Sequence, residues 1–238
     1  IVGVVHPAGS GDAHLEVHPD YRYIEEEIME WALENLAKSS GDGRDKHLRI
    51  FVHEYDSYRY RLMEKLGFTK TTSVEVQRLF RFGNRTIPET EIPSSYTLRT
   101  VNPDDMNDCQ GIADILNTAF NRDFHNAEEF NNFAKNAPCH RMDMDFVAIA
   151  ADGTFASYVG VPFCKENRYG IFEPVCTHPD HLRKGLARVL MFEGLRRLKN
   201  LGAVEVYVGT GDQIAANELY DAIGFDEVYR KTMWRKIV

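Results

Sequence analysis

The chain has 238 residues, 43% of them hydrophobic and 27% charged, with a formal net charge of −8. That is enough apolar material for one large core or two small ones, and the acidic balance disfavours nucleic acid or an anionic membrane as the main partner. No apolar run approaches the ~20 residues of a membrane span, and the start, Ile1 to Val5, lacks the basic region and long apolar core of a signal peptide. Cys109, Cys139, Cys164 and Cys176 show no CxxC spacing, and the histidines no HExxH, so no metal site is expected and reduced thiols in a cytoplasm are the default.

Taken in order, the chain predicts a strand over about Ala13 to Val17, then a helix over Tyr21 to Lys38, ended by Ser39-Ser40-Gly41-Asp42-Gly43. His47 to Glu54 alternates as a strand, Ser57 to Leu66 is a short helix stopped by Gly67, and a strand follows over Thr71 to Phe82. Composition then shifts to Asn, Thr, Pro, Glu and Ser, with Pro88 and Pro93, which marks a linker. Beyond it lie the strand "YTLRTV", helices over Pro103 to Phe120 and Ala127 to Asn136, and a hairpin around Asp152-Gly153. "GIFEPVCTH" reads as a strand, Gly185 to Asn200 as a helix, "AVEVYVGT" as a strand and Asp212 to Ile223 as a helix closed by Gly224. Strands fill Phe225 to Lys236.

A repeat runs through this order. His-Pro-Asp occurs at His18 and His178, 160 residues apart, and Gly-Phe helix stops at Gly67 and Gly224, 157 apart. The early copy answers only to the second half of the later one, which points to a truncated start, as does Ile1 in place of methionine. The expected division is 1–86 as a partial copy, 87–94 as linker and 95–238 as a complete domain.

The later copy carries the chemistry. "LRKGLARVL" places Gly185 and Ala187 at a helix N-terminus, where orphan N–H groups and the helix dipole favour a phosphate, and Arg183, Lys184 and Arg188 add charge. Pro174 in the preceding strand cannot donate to a ladder, so it marks a bulge or separation that leaves backbone groups for an extended, amide-containing ligand. "NELYDAIGF" then sets Asn217 and Tyr220 on one helical face.

The set "VCTHPDHLRKGLA" followed by "ANELYDAIGF" resembles the GNAT superfamily of acyl-CoA-dependent N-acetyltransferases, in its tandem-domain form with a degenerate N-terminal copy. The resemblance covers about Ser95 to Lys236 in element order, with its motifs between Glu173 and Phe225. It implies an α/β (α+β) fold with a mixed, mostly antiparallel sheet flanked by helices. Leu182, Arg183, Lys184, Gly185, Leu186 and Ala187 would hold the CoA pyrophosphate, although Leu182 departs from the family's polar first residue. Val175, Cys176 and Thr177 would offer main-chain contacts to pantetheine and Asn217 a side-chain contact, while Tyr220 would protonate the departing thiolate. Phe225 belongs to the core.

On the acceptor side, Glu173 alternates onto one face with Val175 and Thr177 and could serve as base, or as an orienting or structural carboxylate. His178 could take a proton, but His-Pro at a strand end more simply makes a turn; Cys176 lacks a recognisable His partner for nucleophilic work. Asp123, His125 and Glu128 lie where the family shapes its acceptor site. In the early copy Glu25 stands where Gly185 does and Met63 where Tyr220 does, so that copy is expected to bind no CoA. The leading function is transfer from acetyl-CoA to an amine, whether small molecule, polyamine or protein. A non-catalytic acyl-CoA sensor is the alternative, since it would keep the phosphate cradle without needing Tyr220 or Glu173.

Overall fold

The computed structural model describes residues 1–9, 11–39, 45–138 and 140–238; Cys139 and most of the expected helix stop at 40–43 lie outside them. The chain forms β1 (Gly3–Pro7), β2 (Asp12–Val17), α1 (Glu25–Asn35), β3 (Lys38–Ser39), β4 (Lys46–His53), α2 (Ser57–Lys65) and β5 (Thr69–Arg81). After an irregular stretch come β6 (Tyr96–Thr100), α3 (Met106–Phe120), α4 (Ala127–Asn136), β7 (Asp145–Ala150), β8 (Phe155–Gly160), β9 (Phe163–Cys164), β10 (Tyr169–Phe172) and β11 (Val175–Thr177). The last elements are α5 (Leu186–Asn200), β12 (Glu205–Thr210), α6 (Ile214–Ile223) and β13 (Glu227–Ile237). No described helix is long and apolar enough to cross a membrane.

Two compact units result. One holds residues 1–77, 210–213 and 228–238; the other holds 78–209 and 214–227. The division follows contacts rather than chain order, because β13 pairs antiparallel with β4 over Lys231 to Ile237 and so lends most of its length to the first unit. The segment expected as a linker packs into the second unit: Ile87 is buried in its core, and the Arg85 guanidinium donates to the carbonyl of Gly224.

In the first unit, Met29, Ala32 and Leu33 of α1 and Leu62 and Met63 of α2 close on Leu48, Ile50 and Val52 of β4 and on Trp234. Each such side chain removed from water contributes roughly 1.5–3 kcal/mol. β1 was not anticipated, since "GVVHP" is short and its alternation is masked by neighbouring apolar residues; it pairs antiparallel with β2. β2 also runs parallel to β4, but only at Asp12 and Ala13, and then diverges. The expected Tyr21–Lys38 helix starts late, because a 3-10 turn over Pro19–Ile24 precedes α1.

The second unit has β11-β8-β7-β6 as an antiparallel sheet and β10 parallel to β12, with β9 at its edge. The hairpin expected at Asp152-Gly153 joins β7 to β8. The α5 face made of Leu186, Val189, Leu190, Leu195 and Leu198 is buried against this framework. α3 is capped by Asp105, whose side chain accepts from the Asn107 N–H (2.9 Å), and it ends at Asn121 in the left-handed region. α4 is capped by Asn126.

Candidate active site

The strand expected over "GIFEPVCTH" is in fact two strands. β10 pairs with β12 up to Phe172 opposite Val208, whereas β11 pairs with β8 from Val175 opposite Val159. Glu173 and Pro174 form the break, joined by a cis peptide bond. Proline has no N–H to give to a ladder, which is why the parting falls here. β11 thereby becomes a sheet edge whose other side has no strand partner among the described residues. The same break ends the alternation that was to set Glu173 on one face with Val175 and Thr177, and Glu173 stands exposed rather than buried.

β11 feeds directly into the turn before α5. His178 Nδ1 accepts from the Asp180 N–H (3.3 Å), which gives this histidine a turn-forming role; His18 makes the same bond to Asp20 in the first unit. Arg183 (φ 59°) and Gly185 (φ 76°) both adopt left-handed conformations. Gly185 is the N-cap of α5, no side chain bonds its first turn, and a Cβ at Gly185 would meet no atom within 4 Å. The helix therefore opens with its orphan N–H groups toward open space, beside Lys184 and Arg188. Leu182 is 55% exposed, and Leu186 supplies the buried anchor of the helix start.

Tyr220 of α6 is 4% exposed, with its ring edge-on to Phe225. Burial, and next the Glu173 carboxylate, push its phenol up to about 12, against a downward pull from Arg78. It is a protonated donor at neutral pH. Asn217, one turn earlier, is already engaged: its Oδ1 accepts from Arg78 Nε (3.0 Å). Arg78, 6% exposed, also bonds Asp221 and the carbonyl of Phe225, and so ties α6 in place from β5. No sequence signal marked Arg78, because its partners lie some 140 residues away. Burial pushes the Cys176 thiol up to about 12, which unfits it as a nucleophile.

A cleft of about 170 Å³ opens beside the strand break, lined by His125, Glu129, Phe130, Phe133, Tyr158 and Pro174 among others. Of the three acceptor-side residues read from the sequence, His125 lines it, while Asp123 and Glu128 are exposed outside its lining. Behind it, Tyr158 donates to Asp145 Oδ1 (3.0 Å), and His140 Nε2 lies 3.2 Å from Oδ2 without hydrogen-bond geometry. Burial pushes the Asp145 carboxyl up to about 7, the Tyr158 bond opposing it. Gly160 is needed here, since a Cβ would stand 2.9 Å from the Glu173 carbonyl oxygen and 3.1 Å from Tyr158 Oη.

A strand broken at Glu173-Pro174 leads into a glycine-entered helix with no side-chain cap, and a buried phenol stands on the next helix, an arrangement open to an extended ligand that ends in a phosphate. Residues 109–225 match the family model described as "Acetyltransferase (GNAT) family", so this segment is a GNAT-type domain. The match indicates an acyltransferase. The chain is similar in fold to a GCN5-related N-acetyltransferase from Sphaerobacter thermophilus (19% identity, 99% of this chain and 76% of that one, TM-score 0.76). It is likewise similar to a tandem GNAT protein from the clavulanic acid biosynthesis pathway (17%, 99% and 79%, TM-score 0.72). A GCN5-related N-acetyltransferase from Kribbella flavida also aligns (13%, 94% and 80%, TM-score 0.60). No curated protein matches the chain.

Proposed function

We propose that the second unit moves the acetyl group of acetyl-CoA to a primary amine by direct attack within a ternary complex, with one active site per chain. The observation that carries this reading is the continuous path from the parted edge of β11 to the uncapped start of α5, with the Tyr220 phenol buried on α6 within electrostatic reach of Glu173. Main-chain groups of Val175, Cys176 and Thr177 would take the pantetheine amides, with Asn217 alongside once its bond to Arg78 is counted. The loop from Leu182 to Arg188 would hold the diphosphate, through its N–H groups and the charges of Arg183, Lys184 and Arg188.

When bound, acetyl-CoA supplies a thioester whose carbonyl carbon accepts the amine. Tyr220 gives its proton to the departing sulfur. Glu173, exposed at the strand break, takes a proton from the attacking nitrogen directly or through water, and the phenol is restored from that side. Asp123 and Glu128 border the acceptor approach. The first unit binds no CoA, because Glu25 stands where Gly185 does.

Calorimetric titration tests this. Acetyl-CoA should bind once per chain, and Gly185→Glu should weaken it by about 100-fold or more, since a carboxylate repels the diphosphate and fills the approach. Absence of acetyl-CoA binding, or two sites per chain, overturns the reading.

A further inference from the structure

In the turn from β11 to α5, Leu182, Arg183, Lys184 and Gly185 are all exposed, and Arg183 and Gly185 adopt φ of 59° and 76°. Glycine takes such a φ without cost, but arginine does not, because its Cβ crowds the following carbonyl. A segment held against its own preference needs a brace from outside it. Resting on the reading above that this loop takes the diphosphate of acetyl-CoA, we infer that Tyr96 on β6 and His181 are positioning residues that keep the loop in its binding form.

Tyr96 is itself anchored. Its N–H donates to the Pro93 carbonyl (2.9 Å), it stands opposite Ala150 in the pairing of β6 with β7, and its partly buried ring packs against the core of the second unit. From there it meets the loop at two points. Tyr96 Oη lies 2.8 Å from His181 Nδ1, a hydrogen bond whichever atom carries the proton. The ammonium of Lys184 stands over the same ring, 5.8 Å from its centroid, and also donates to the Asp180 carbonyl (3.2 Å). His181 is wedged in turn: its ring meets Tyr96 and His178 edge-on, each with centroids 5.6 Å apart, and the Asp180 N–H fixes the His178 ring. Among the described residues no other strand hydrogen-bonds to residues 179–184.

Without the brace the loop leaves the form that presents its N–H groups, so only a fraction of the molecules is ready to bind. The apparent dissociation constant then rises by the inverse of that fraction. One neutral hydrogen bond changes such a population by on the order of 2- to 10-fold. The loss falls on the diphosphate alone, because the groups that would take the pantetheine lie on β11, before the turn.

Calorimetry on the whole chain tests this with acetyl-CoA and with S-acetylpantetheine, which lacks the diphosphate and is read by its displacement with acetyl-CoA. Tyr96→Phe keeps the ring under Lys184 and removes the bridge to His181, so the dissociation constant for acetyl-CoA should rise about 3- to 10-fold. His181→Ala should raise it by a similar factor. The double variant should bind no more weakly than either single one, because the two residues act through one bond. S-acetylpantetheine should bind all four chains equally, which a general loosening of the fold would not allow. Tyr96→Phe with the two thioesters decides the matter if His181→Ala does not fold. Unchanged acetyl-CoA affinity in Tyr96→Phe, additive losses in the double variant, or an equal loss for S-acetylpantetheine overturns this inference alone. If the unaltered chain binds no acetyl-CoA, it falls together with the proposed acetyl transfer.

Discussion

Arg59 holds Glu25 through both carboxylate oxygens, Nε to Oε2 at 2.9 Å and Nη2 to Oε1 at 3.1 Å, and the Glu25 side chain is fully buried. Arg22 adds Nε to Oε1 at 2.7 Å and reaches on to Asp56, while Arg59 Nη1 donates to the Leu15 carbonyl on β2. Burial alone would push the Glu25 carboxyl up, but the bonds to Arg59 and Arg22 more than offset it and hold it below its ordinary value of 4.5. Glu25→Ala leaves two guanidinium groups without their shared carboxylate. We expect a loss of about 3–5 kcal/mol, read as a lower urea midpoint for the first unit. Because the folded pKa is depressed, this stabilisation is present above pH 4.5 and is lost as pH falls through the folded value.

The same residue shows where sequence stopped informing. Alignment on His-Pro-Asp placed Glu25 at the position of Gly185, and the absence of glycine there was legible. Its burial was not: among Glu25, Glu26 and Glu27 nothing distinguishes the one that meets Arg59, 34 residues on, from its half-buried and exposed neighbours. The helix starts at Ser57 and Ala127, the Asp152-Gly153 hairpin and the Pro174 parting could be read because they depend on local backbone chemistry. Arg78, Asp145 and the orientation of His125 depend on tertiary partners, and no spacing encodes those.

Asp145 is 4% exposed, and its raised pKa has a cost in stability. The folded protein keeps this proton up to about pH 7, whereas the ordinary value is 3.8. Between these values the native state binds more protons than the unfolded state, so stability falls as pH rises through the window, by on the order of 4 kcal/mol in all. Asp145→Asn keeps an acceptor for the Tyr158 hydroxyl and removes the titration. Its denaturant midpoint, relative to the unaltered chain, should rise between pH 5 and pH 8. A difference that is flat across that range would show that Asp145 titrates at its ordinary value.

Arg78→Met tests the tie between β5 and α6. The guanidinium bonds Asn217, Asp221 and the Phe225 carbonyl, and the methionine stem keeps most of the apolar packing. Removing these bonds should cost about 1–3 kcal/mol of stability. It should also lower kcat more than it raises KM for acetyl-CoA, because the displaced element carries Tyr220. Equal stability and unchanged kcat would mean that α6 is positioned by its apolar contacts alone.

Tyr220→Phe removes one hydroxyl from a ring that is otherwise held by Phe225 and the surrounding core. Packing is kept, so the thermal midpoint should stay close to that of the unaltered chain, and acetyl-CoA affinity measured by calorimetry should change little. Turnover should fall by about 10²–10³-fold, the range for losing a positioned proton donor. With acetyl-CoA the leaving group is an alkyl thiolate that needs this proton. An acetyl thioester of a more acidic thiol needs it less, so the deficit of the variant should shrink with such a donor. Equal deficits with both thioesters would place Tyr220 outside the proton transfer to sulfur and leave it a wall of the site.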